Sequence, residues 1–110
     1  FVNAFNEGWA EYAATLAGEV GMYREPEEQF GRLMMDAFLT CRLVVDTGMN
    51  ALGWSLEQAR DYMRANAFMP EQEIRTESIR YSCDIPGQSL AYKLGDEFIL
   101  AEREAMRAAL

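Results

Sequence analysis

The chain has 110 residues, half of them hydrophobic, which suffices for one domain with a real core but not for two. Ten Lys and Arg against eighteen Asp and Glu leave a net charge of -8, the wrong sign for tracking nucleic-acid phosphates or anionic lipid. Histidine is absent, so Ser-His-Asp and Cys-His catalysis, histidine-containing zinc sites and Glu-x-x-His di-iron motifs lie beyond this chain alone.

Hydrophobic spacing is helical nearly throughout. The first helix is predicted from about Asn3 to Gly18, with Phe5, Trp9, Tyr12, Leu16 and Val20 as its core stripe. A second row, Glu7, Ala10, Glu11, Ala14 and Gly18, sets small residues beside two carboxylates and should admit another backbone. Gly21 ends the helix. Pro26 opens the second, with Glu27 and Glu28 suited to the positive end of its dipole. Its apolar face reads Phe30, Leu33, Met34, Ala37, Phe38, Cys41, Val44, Val45 and Met49. Arg42, Asp46 and Asn50 line up on another face at i,i+4 spacing, and Gly53 closes the helix.

Ser55-Leu56-Glu57-Gln58 is a capping box opening a short third helix that ends near Asn66. Pro70, with Glu71 and Glu73, starts a fourth, which the Ile85-Pro86-Gly87 break should stop. A fifth begins near Gln88 and is expected to turn Leu90, Leu94, Phe98 and Ala101 inward. No apolar run approaches the roughly 20 residues of a membrane helix, and no charged n-region of a signal peptide is visible. The expectation is a single all-α unit over residues 1–110, of about five helices. Because it opens on Phe1, it reads as a segment of a longer protein.

Few residues suggest chemistry by spacing. Glu7 and Glu11, one helical turn apart, suit either a hard metal ion or solvent, and spacing alone favours solvent. Tyr81 beside Arg80, just before the proline break, could donate to a developing oxyanion or be a core tyrosine with its hydroxyl at the rim. Tyr92 beside Lys93 reads the same way. Asp46-Thr47-Gly48 marks either a buried polar site or a helix end. Cys41 falls in the apolar stripe and Cys83 has no activating base, so neither is expected to be catalytic.

Four words occur in one order: Asn3-Ala4-Phe5-Asn6-Glu7-Gly8-Trp9-Ala10, Arg42 through Gly48, Gly53-Trp54-Ser55, and Arg80-Tyr81 through Pro86-Gly87-Gln88 to Gly95. The series resembles the C-terminal part of the bacterial domain of unknown function 885 family, whose members look like zinc metallopeptidases of the glutamate-zincin type. The resemblance implies that Glu7 is the glutamate zinc ligand and that the two histidines and the general base lie upstream of this segment. It implies Tyr81 as oxyanion donor, Arg80 as its support, and Asn50, Gln88 and Tyr92 along a peptide substrate. Relatives carry histidine where this chain has Asn50, and asparagine can hydrogen-bond but not exchange protons.

Zinc is therefore expected in the full-length parent and not in this segment, which should be inert alone. Its expected partners are a peptide substrate, the upstream part of the same chain, and copies of itself through exposed apolar faces. A non-catalytic peptide- or protein-binding helical domain of the same fold, or a structural scaffold, are the alternatives. The bacterial compartment, cytoplasmic or periplasmic, stays open.

Overall fold

The structure is a computed structural model that describes residues 2–110, with no side-chain description at Val2. It is all-α. Five α-helices occupy the described residues: α1 Val2–Glu19, α2 Pro26–Ala51, α3 Leu56–Asn66, α4 Glu71–Ile79 and α5 Leu90–Ala109. A one-turn π-helix, Arg80–Asp84, continues α4. No described helix is long and apolar enough to cross a membrane.

The predicted boundaries have local causes. Gly21, at φ 77°, lets Met22 N–H reach the Ala17 carbonyl at 2.9 Å and close α1. Glu28 accepts from the Arg24 and Glu25 amides at 2.7 and 3.1 Å, capping α2. At α3 the capping box is complete: Gln58 N–H donates to Ser55 Oγ and Ser55 N–H to Gln58 Oε1, at 3.2 and 2.8 Å. The fourth helix departs from expectation, because its last turn widens into the π-helix before Pro86 is reached.

The chain divides into two compact units, one of residues 1–30 with 91–110, the other of residues 31–90. The second unit holds a packed core of Cys41, Val45, Ala59, Met63, Ala67, Ile74 and Tyr81, with Phe38, Met49, Trp54, Tyr62 and Met69 against it. Its surface joins α3 to α4 through Arg64, which donates to Glu71 at 2.9 Å and to Glu57 and Asp61 at 2.8 and 2.6 Å. These hydrogen bonds hold the exposed Glu71 carboxyl at about 2, well below its ordinary value.

In the first unit two predicted stripes are corrected. Phe5, Trp9, Leu16 and Val20 are exposed, and so are Leu94, Phe98 and Ala101. The buried positions are instead Gly8, Ala91, Gly95 and Asp96. Helices α1 and α5 meet backbone to backbone there: a Cβ at Gly8 would collide with the Gly95 backbone, and one at Gly95 with the Ala4 carbonyl. Glycine at both positions permits the crossing. The close approach thus runs through Gly8, one residue from the Glu7 row expected to provide it. Phe30 and Leu33, assigned to the apolar face of α2, are also exposed.

Candidate functional site

The aligned Arg42, Asp46 and Asn50 of α2 form the start of a buried polar network in the second unit. Asp46 is 1 % exposed. Burying a carboxylate is costly unless donors surround it, and four hydrogen bonds do so. Gly87 N–H donates to both its oxygens, at 3.0 and 2.9 Å. Ser89 Oγ donates at 2.6 Å and Asn50 Nδ2 at 2.8 Å. Gly87 takes φ 82°, a conformation few other residues adopt, and this aims its N–H at the carboxylate. Asp46 therefore fastens the Pro86-Gly87-Gln88-Ser89 turn to α2. Asn50 extends the fastening to the π-helix, donating also to the Tyr81 carbonyl at 3.0 Å.

Tyr81 sits within the π-helix, an irregularity found frequently at functional positions. Its ring is 1 % exposed and its hydroxyl donates to Glu77 Oε2. Arg42 packs between rings, its guanidinium carbon 5.2 Å from the centre of Phe38 and 5.4 Å from that of Tyr81. Its Nε lies 3.6 Å from Glu77 Oε2, while Arg80 Nη1 lies 3.6 Å from Glu77 Oε1. Burial, and then the bond to Glu77, push the Tyr81 phenol far above its ordinary value, so it stays a neutral donor. The hydroxyl expected at the rim is inside.

The remaining expected site residues divide between the units. Asn50, Arg80, Tyr81 and Gln88 belong to the second, and the structure joins Asn50 to Tyr81 directly. Gln88 is half-buried in the fastened turn, its N–H donating to the Ile85 carbonyl at 3.3 Å. Glu7 and Tyr92 belong to the first unit, both half-buried, Glu7 immediately before the Gly8 crossing. Among the described residues no three Asp, Glu or Cys side chains converge to hold a metal. A zinc centre takes at least three protein ligands, and Glu7 is one. These residues do not complete such a site.

Both cysteines are free. Cys41 is buried in the core, as expected, and burial pushes its thiol up to about 11. Cys83 is exposed, with Ser82 Oγ 3.3 Å away.

Sequence reasoning missed Gly87 and Ser89 as donors to Asp46, and it missed Glu77 and the π-turn. Glu77 stands four residues before Tyr81, the spacing of helix-surface partners, so their pairing was readable in principle. The π-turn left no such signal. An open apolar cavity of about 600 Å³ also lies in this unit, lined by Met34, Met35, Phe38, Phe68 and Met69, with Glu77 at its edge.

No curated protein matches the chain. A crystal structure of a candidate lipoprotein from Colwellia psychrerythraea matches with TM-score 0.92 and 44 % identity, over 96 % of this chain and 18 % of that one. The chain thus spans less than a fifth of that protein's length. The profile of a bacterial protein family of unknown function, DUF885, matches residues 1–110, and the chain belongs to that family.

Proposed function

We propose that this chain is the C-terminal segment of a zinc-dependent metallopeptidase, in which Glu7 supplies the carboxylate ligand and residues upstream supply the histidines and the general base. The observation that carries this reading is the position of Glu7, half-buried and next to a crossing where two helix backbones touch. Close packing of this kind helps side chains of neighbouring helices converge on one ion. Zinc, when bound, polarises the scissile carbonyl and activates the attacking water.

Within the segment, Tyr81 is proposed as the oxyanion donor with Arg80 as its support. The neutral phenol suits a donor, and the role requires its hydroxyl to exchange Glu77 for substrate. Asn50, Gln88 and Tyr92 are proposed along the peptide, with Asp46 holding the turn that carries Gln88.

The test is metal analysis of the full chain, with peptide hydrolysis assayed before and after chelation. The reading predicts bound zinc, chelator-sensitive hydrolysis, and a loss of metal affinity of more than about tenfold in Glu7→Gln. A full chain with neither metal nor chelator-sensitive hydrolysis overturns it. That result would favour the second reading, a non-catalytic peptide- or protein-binding domain, which Asn50 supports because an amide in place of an imidazole cannot shuttle protons.

A further inference from the structure

The first unit carries an apolar face that is exposed among the described residues. On α1, Phe5 and Trp9 are 54 % and 51 % exposed and stack with ring centres 6.3 Å apart; Tyr12 continues the ladder 5.5 Å from Trp9. On α5, Phe98 and Met106 are each 66 % exposed, and Leu110 follows. Together these six residues line an open trough of about 560 Å³. Of its charged lining residues, Arg103 is bonded to Glu19 at 3.0 Å and lies over the Tyr12 ring, and Arg107 is bonded to Glu104 at 2.9 Å.

The trough has the form of a helix seat. Its walls are two helices, and its aromatic ridge repeats at i,i+4 and i,i+3, the spacing that interlocks with a third helix. Clustered Trp, Tyr and Phe are the side chains on which docking energy concentrates, and contiguous apolar patches of this kind mark interaction surfaces. The identity of the occupant follows from length. The matched region is 18 % of the Colwellia chain, so most of such a polypeptide lies outside it and is available to fold back.

We propose that the trough between Phe5-Trp9-Tyr12 and Phe98-Met106-Leu110 seats an apolar helix from a part of the full polypeptide outside these 110 residues. The inference is independent of any metal, and it survives if Glu7 binds none.

The experiment places p-benzoylphenylalanine at Phe98 in the full chain, followed by irradiation and mass spectrometric mapping. The expected result is a crosslink within one chain, to a peptide outside residues 1–110. A crosslink between two chains would overturn the proposal in favour of a contact between copies. A photolabel that captures only solvent, in a full chain of native helical content, would overturn it as well. A diazirine methionine at Met106 gives the same reading should the Phe98 variant fail to fold.

Discussion

The two units bury different things. The second closes a side-chain core around Met63, Ile74 and Tyr81 and a polar network around Asp46. The first buries mainly glycine, alanine and one aspartate, and leaves Phe5, Trp9, Phe30 and Phe98 in solvent. Apolar residues recur at helical spacing in both, but amphipathic periodicity identifies only the face a helix can bury, not the partner that buries it. Where the partner lies within the chain, a core forms. Where it does not, the same stripe stays exposed, as on α1.

Substitutions that act on one unit and not the other sharpen that contrast. Asp46→Ala should have the largest effect, about 3–5 kcal/mol lost in denaturant unfolding, because Gly87 N–H, Ser89 and Asn50 lose their shared acceptor. An Asp46→Ala chain of unchanged stability would mean that the turn is held otherwise.

Gly95→Ala comes next. The added methyl meets the Ala4 carbonyl and must push α1 from α5, at a cost of about 1–3 kcal/mol. Amide exchange should accelerate in α1 while the Met63 and Ile74 amides stay as slow as before. Equal acceleration in both units would remove the distinction between them.

Ser55→Ala should cost about 1 kcal/mol through loss of the α3 cap, confined to the second unit. Acid has the smallest effect. The Glu71 carboxyl is depressed from 4.5 to about 2, so its pairing with Arg64 contributes fully above pH 4.5 and is lost as pH falls toward 2. An NMR titration should find Glu71 protonating near the bottom of that window, and Arg64→Ala should raise it part of the way back, with Arg75 still bonded to it.

The all-α class and the helix starts were legible because caps are local. Pro26, Ser55-Gln58 and Pro70 each act within a turn of their own position. The alignment of Arg42, Asp46 and Asn50 was legible too, since i,i+4 spacing alone sets it. What the network fastens was not, because Gly87 lies 41 residues from Asp46 and only the fold brings them together. The Gly8–Gly95 crossing escaped for the same reason: two isolated glycines carry no pairing signal until their helices are placed. For Tyr81 the spacing left an oxyanion donor or a core tyrosine with its hydroxyl at the rim, whereas the structure has a π-turn there and the hydroxyl on Glu77.

The central claim is that the second unit closes a side-chain core of its own, whereas the aromatic trough of the first is filled by something outside these residues. Hydrogen–deuterium exchange on the 110-residue chain, compared with the same peptides in the full chain, tests this most directly. The account predicts slow exchange at Val45, Met63 and Ile74 in both, and at Trp9, Tyr12 and Phe98 fast exchange in the short chain that becomes slow in the full one. Protection of α1 and α5 already at its full-chain level in the 110 residues would contradict it.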